Sequence, residues 1–188
     1  VNVHKNIIKE GVELILTGIT GGDDWRTNPE MKDTPDRVMK SYLELTRGYD
    51  IPEFKLTAFP TTYKGMLTRG GIPFTSLCAH HMLPYIGTAD VGIIYNKKKL
   101  GLSKIIRLIQ HYSAKLTSQE ELTDEIVEVV YKVSEPKGFI LVLKAYHLCE
   151  ACRGVRVPNV STITASFRGV FEKQATRNEF YEQVRDKI

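Results

Sequence analysis

Apolar residues recur at helical spacing through Ile8, Val12, Ile15 or Leu16, and Ile19. That period predicts an amphipathic helix at the start of the chain. Gly21-Gly22-Asp23-Asp24 interrupts it. Asp33-Thr34-Pro35 reads as the next helix start, with Thr34 as cap and Pro35 in the first helical position. Val38, Tyr42 and Leu45 supply its buried face and Gly48 ends it. Residues 1–50 are thus expected to form an N-terminal helical arm. From about Ile51 the period shortens. Residues 72–77 and 86–95 read as strands, the second alternating through Ala89, Val91 and Ile93. Ser103 is placed to cap a helix carrying Ile105, Leu108, Ile109 and Tyr112. A second helix follows, with Leu122, Ile126, Val129, Val130 and Val133 as its stripe. Residues 139–143 and 161–171 return to strand, and residues 177–187 close the chain as a helix. The order strand, strand, helix, helix, strand, strand predicts an α+β fold with an antiparallel sheet and helices on one face. Residues 51–188 are expected to be a single functional unit.

Composition narrows the function classes. Hydrophobic residues make up 42% and charged residues 26%, ordinary for a soluble globular protein. A net charge of +4 is too mild to imply nucleic acid as a partner. The longest basic run, Lys97-Lys98-Lys99, reads as a solvated loop. No apolar stretch is long enough to span a bilayer, so no membrane is expected. The three cysteines give an odd count with no disulfide framework, which suits a reducing compartment. Val1-Asn2-Val3-His4-Lys5 lacks a signal-peptide core, so a cytoplasmic protein is expected.

The cysteines are not scattered. All of them, and three of the five histidines, fall in two short runs, Cys78-Ala79-His80-His81 and His147-Leu148-Cys149-Glu150-Ala151-Cys152. Sulfur and imidazole gathered from distant segments are what zinc prefers. Two arrangements fit the spacing. Cys78, His81 and Cys149 would bind the ion and leave one position open for water, as catalytic sites do. Adding Cys152 would close it as a structural knuckle. His80 and His147 each neighbour a candidate ligand. Either could move protons near neutral pH or orient a ligand from behind.

With these residues the chain resembles GTP cyclohydrolase I. The likeness is an ordered set across most of the sequence. It comprises Thr34-Pro35-Asp36-Arg37-Val38, Ser76-Leu77-Cys78-Ala79-His80-His81, Gly101-Leu102-Ser103-Lys104-Ile105-Ile106-Arg107, Gln119-Glu120-Glu121-Leu122-Thr123, His147-Leu148-Cys149, Arg153-Gly154-Val155 and Arg177-Asn178-Glu179-Phe180. The resemblance implies the tunnelling fold and zinc held by Cys78, His81 and Cys149, which selects the open site. It implies GTP as substrate, with water attacking C8 of guanine, formate leaving, and reclosure to 7,8-dihydroneopterin triphosphate. His80 and His147 match the family's proton-handling histidines, and Gln119 and Glu120 its guanine-recognising pair. Ser103, Lys104, Arg107 and Arg153 match its triphosphate binders. Arg37 matches an arginine reaching in from a neighbouring subunit. A homo-oligomer, a decameric ring with pockets between subunits, is implied as well.

Two single positions depart from the family pattern, as does the stretch Lys115-Leu116-Thr117-Ser118, where a more basic, glutamine-rich run is common. Ala79 stands where the family usually has glutamate, and Cys152 where a small apolar residue or methionine is expected. Ala79 motivates a competing expectation, a ring-forming GTP binder with weakened or altered catalysis. A zinc nucleobase deaminase fits poorly, because Leu148 rather than proline precedes Cys149 and no glutamate lies two residues past His80 or His81.

Overall fold

The computed structural model describes residues 4–50 and 54–185. Val1 to Val3, Ile51, where the change of period was placed, and Lys187, the expected end of the last helix, lie outside them. The chain divides into two compact units, Val1–Pro52 and Glu53–Ile188.

In the first unit, α1 (Lys5–Thr20) packs against α2 (Thr34–Leu45). Lys9 Nζ meets Asp36 Oδ2 at 2.9 Å across the pair. The inward line of α1 runs through buried Val12, with Ile8 and Leu16 half-buried on either side of it. Ile15 and Ile19 are exposed, so the expected stripe drifts one position off the packed face. Thr34 does not cap α2; it is the first helical residue, and Asp33 holds the cap position. The helix ends at Leu45, ahead of Gly48, and a 3-10 turn follows over Arg47–Tyr49.

The second unit contains β1 (Ala58–Pro60), β2 (Met66–Cys78), β3 (Pro84–Ile94), β4 (Lys98–Leu100), α3 (Leu102–Ser113), β5 (Leu116–Thr117), α4 (Gln119–Ser134), β6 (Gly138–His147), α5 (Leu148–Ala151), β7 (Thr162–Gly169) and α6 (Gln174–Val184). Strands β5-β2-β3-β6-β7 make one sheet, antiparallel except for the two-residue β5, which pairs parallel with β2. The β-β-α-α-β-β order and the α+β class agree with the expectation from the sequence. β1 and β4 form a separate two-stranded ribbon. Lys98 and Lys99 therefore lie in a strand, not in a loop as expected.

One face of the sheet carries Phe74, Val91, Leu141 and Leu143 and is covered by α3 and α4 through Ile105, Leu108, Ile109, Leu122 and Ile126. Each such side chain taken fully out of water contributes about 1.5–3 kcal/mol. The alternate residues Ile140 and Val142 point to the other face, where Phe171, Phe180 and Val184 cover them. Both faces of β6 are apolar, which is why it reads as an unbroken hydrophobic run. Its strand extends beyond the expected residues 139–143.

Two local features set the strand ends. β2 shifts register between Arg69 and Ile72, where Gly71 takes a φ of 69°. The Asp90 carboxylate accepts the Gly71 N–H at 2.8 Å, holding this bulge. At the far end β2 stops at Cys78, whose N–H bonds Leu83 O at 2.9 Å and whose carbonyl accepts Met82 N–H at 2.8 Å. Met82 sits at φ 55° to close that turn.

α3 begins at Leu102 with Gly101 at the cap position, so Ser103 lies inside the first turn and does not cap. In α4 the Ser118 side chain does cap, accepting the Glu121 N–H at 3.2 Å.

Candidate metal centre

β2 and β6 are both antiparallel to β3, so they run in the same direction. Their C-terminal ends therefore emerge at one edge of the sheet, on either side of the start of β3. This is what joins the two cysteine–histidine runs across about seventy residues of sequence. Cys78 is the last residue of β2. His80 and His81 occupy the turn that follows, and Cys149 lies in the single helical turn α5 directly after β6.

Among the described residues, Cys78, His81 and Cys149 form one group whose ligand atoms all lie within 4.8 Å of one another. Cys78 Sγ is 3.8 Å from His81 Nδ1. Sulfur and nitrogen around a tetrahedral ion with zinc–ligand bond lengths are about 3.6 Å apart, so the spacing fits such an ion with little adjustment. Cys152 is outside the group; it is exposed, and its thiol donates to Leu148 O at 2.9 Å. Among the described residues the group therefore holds three candidate ligands, and Cys152 is not one of them.

Both sulfurs are buried while His81 is exposed. Burial pushes the Cys149 thiol up from its ordinary range, and the neighbouring Cys78 pushes it further. A cation between the two sulfurs reverses that preference, because it stabilises thiolates directly. Arg153 Nη1 lies 3.2 Å from His81 Nε2 and 3.4 Å from Cys149 O. An arginine N–H can only donate, so this contact needs a lone pair on Nε2 and, in a neutral ring, the proton on Nδ1. Ligation through Nδ1 needs the opposite tautomer. A metal held through Nδ1 would therefore displace the guanidinium from Nε2.

His80 Nδ1 is 3.8 Å from Cys78 Sγ. His147 is the Cα partner of Tyr85 in the β3–β6 ladder, and their rings stack at 4.6 Å with an interplanar angle of 2°. Tyr85 is fully buried, and burial is the main reason its phenol is pushed up to about 12. It stays neutral beside His147.

Gln119, at the first turn of α4, is only 1% exposed. Its amide nitrogen lies 3.1 Å from each of Leu143 O, Thr162 O and Thr164 Oγ1, and its amide oxygen 2.8 Å from His147 Nε2. The side chain expected to read guanine is thus held by protein partners. Glu120, next to it, is exposed.

Ser103, Lys104 and Arg107 sit in the first two turns of α3. Ser103 and Arg107 are exposed, and Lys104 is half-buried with its ammonium 5.8 Å from the Phe54 ring centre. Among the described residues, no hydrogen bond or ion pair joins these three to the Cys–His–Cys group. Arg37 belongs to the first unit, where its guanidinium donates to Glu30 O and lies 3.5 Å from Asp33 Oδ2.

Tyr85 and Thr164 carry no mark in the sequence as neighbours of a site. Only the strand register puts them against His147 and Gln119.

The family profile described as GTP cyclohydrolase I matches residues 8–185. The GTP cyclohydrolase 1 of Hydrogenobaculum sp. (strain Y04AAS1) is 41% identical over 186 residues, covering 97% of this chain and 99% of its own. That of Aquifex aeolicus (strain VF5) is 39% identical over 184 residues, covering 97% and 98%. Among solved structures, the apo form of the archaeosine synthase QueF-Like overlaps 57% of this chain and 97% of its own. Its TM-score is 0.48 at 15% identity, too loose to carry a fold assignment.

Proposed function

The chain belongs to the GTP cyclohydrolase I family, and from that premise we propose that it opens the guanine imidazole ring of GTP at C8, releases formate and recloses the product to 7,8-dihydroneopterin triphosphate. The observation that carries this reading is the convergence of Cys78, His81 and Cys149, without Cys152, at the sheet edge where His147 also stands. Two sulfurs and one imidazole are a donor set that suits zinc. Bound there, zinc supplies the Lewis acidity that makes water a competent nucleophile near neutral pH.

The remaining work belongs to the chain. Glu120 is an exposed carboxylate at the start of α4, and it can accept from the N1–H and 2-amino donors of guanine, which fixes the base. Ser103, Lys104 and Arg107 share the N-terminal turns of α3, where cations and unpaired N–H groups together suit phosphate oxygens. Arg153, once displaced from His81 Nε2, is free to add a fork of donors to the same triphosphate. Arg37 is assigned to the triphosphate of a neighbouring subunit's pocket. His147 and His80 hold and return the protons that ring opening and formate departure require.

We assign a homo-oligomeric ring, decameric by family. The sheet ends on β7 at one side; at the other, among the described residues, only Leu77 and Cys78 of the long β2 pair with β5. Two such edges invite pairing between copies. Among the described residues, no helix is long and apolar enough to cross a membrane. The free state of all the cysteines supports a reducing, cytoplasmic setting.

One observation favours a second reading. Ala79, in the turn between Cys78 and His80, offers no carboxylate, which would suit a GTP-binding ring protein with weakened turnover. Steady-state assay with GTP separates the two. Formate and a fluorescent pterin triphosphate, identified by mass, are expected from the enzyme. Tight GTP binding by a zinc-loaded protein without either product overturns the catalytic reading.

A further inference from the structure

Gln119 is among the least exposed polar residues of the chain, yet it begins a helix beside the metal group. The identity of each end of its amide is decided by its surroundings. Leu143 O and Thr162 O are backbone carbonyls, which only accept, so the end facing them must be the NH2 group. The end facing His147 is therefore the carbonyl oxygen, 2.8 Å from Nε2. A carbonyl cannot donate. His147 Nε2 must carry a hydrogen, and the neutral ring keeps its lone pair on Nδ1. The Tyr85 ring, stacked at 2° on the imidazole, holds the plane in which that bond is made.

We propose that Gln119 is a positioning residue, which fixes the His147 ring by accepting its Nε2–H and so leaves Nδ1 as the nitrogen that the anchor does not hold. The anchor is rigid because it ties three elements together: α4 through Gln119 itself, β6 through Leu143, and β7 through Thr162 and Thr164. Thr164 Oγ1 also lies 2.6 Å from Thr123 Oγ1, and Thr123 donates to the Gln119 backbone carbonyl at 2.6 Å; turning the side-chain amide breaks its bonds to Leu143 O and Thr162 O. The assignment rests on the proposed role of His147 in catalysis, but the Nε2–H bond itself does not.

Two measurements test it. Neutron diffraction from deuterium-exchanged crystals of the unaltered, zinc-loaded protein is expected to show deuterium on His147 Nε2, directed at the Gln119 carbonyl oxygen. Absence of deuterium from Nε2, or deuterium there directed away from Gln119, overturns the proposal, whatever the protein does to GTP. The second measurement uses Gln119→Met, which keeps the side-chain length and removes the acceptor. Because a mispresented general base or acid forfeits about 10²–10⁴-fold, kcat is expected to fall at least about 10²-fold. KM for GTP is expected to stay within about threefold and zinc content to stay unchanged, since a positioning residue makes no uniform contact with substrate. A raised KM with kcat intact means that Gln119 touches the substrate and overturns the assignment. If the variant does not fold, the neutron result decides alone. Absence of GTP turnover in the unaltered protein sinks the proposed function and leaves the neutron result standing.

Discussion

Replacing Cys149 and Cys152 one at a time gives a sharp test, because the residues are three apart in sequence and differ in every structural respect that matters. Cys149 is buried and clustered with Cys78 and His81; Cys152 is exposed and bonded to Leu148 O. Structural zinc sites with four protein ligands bind with about 10–16 kcal/mol, so one ligand is worth roughly 3–4 kcal/mol, or on the order of 10²–10³ in affinity. Cys149→Ser is expected to lose that much, since a serine hydroxyl is a far poorer ligand than a thiolate. Cys152→Ser removes one exposed thiol hydrogen bond, and a serine can restore it, so zinc affinity is expected to change by less than about threefold. Competition with a chromophoric chelator at fixed pH, supported by elemental analysis of dialysed protein, measures both. Equal losses in the two variants would refute the three-ligand site and restore the four-ligand knuckle.

Two further predictions are independent of that pair. Tyr85 is raised to about 12 from 10.0 chiefly by burial, so the fold favours its neutral form; the stability this represents is intact below pH 10 and is lost as pH rises toward 12. The loss is about 2–3 kcal/mol, and Tyr85→Phe, compared by denaturant titration at pH 9 and pH 11.5, is expected to shrink it, whereas an unchanged alkaline loss would show that another group governs. Ala79→Glu is expected to raise the rate of GTP turnover at equal zinc content, and an unchanged or lower rate would show that the turn has been re-adapted to alanine.

Much of the second unit was legible because its helices and strands bury continuous faces. Leu122, Ile126 and Val130 recur at helical spacing, and Ala89, Val91 and Ile93 alternate, so the period alone separates α4 from β3. The ends were harder. Ser103 looks like a cap, but the extended residue before α3 is Gly101, and local chemistry does not reveal which neighbour takes that conformation. Ile15 and Ile19 look core-facing because apolar residues surround α1 on more than one side, and only its packing with α2 chooses Ile8, Val12 and Leu16. The strands β1, β4 and β5 are two or three residues long, too short to carry a period. The ligand residues were visible from their types, since sulfur and imidazole are rare enough for clustering to stand out. Gln119 was not visible as a partner of His147. Twenty-eight positions separate them, and the contact depends on how α4 crosses β6 and β7, which a one-dimensional pattern does not contain.

X-ray absorption at the zinc edge on the purified, unaltered protein reads out the ligand set around the ion. About one zinc per chain is expected, with two sulfur scatterers near 2.3 Å and two light scatterers near 2.0 Å, one of them from His81. Three sulfurs around the ion, or no zinc signal after purification without chelators, would contradict the three-ligand site.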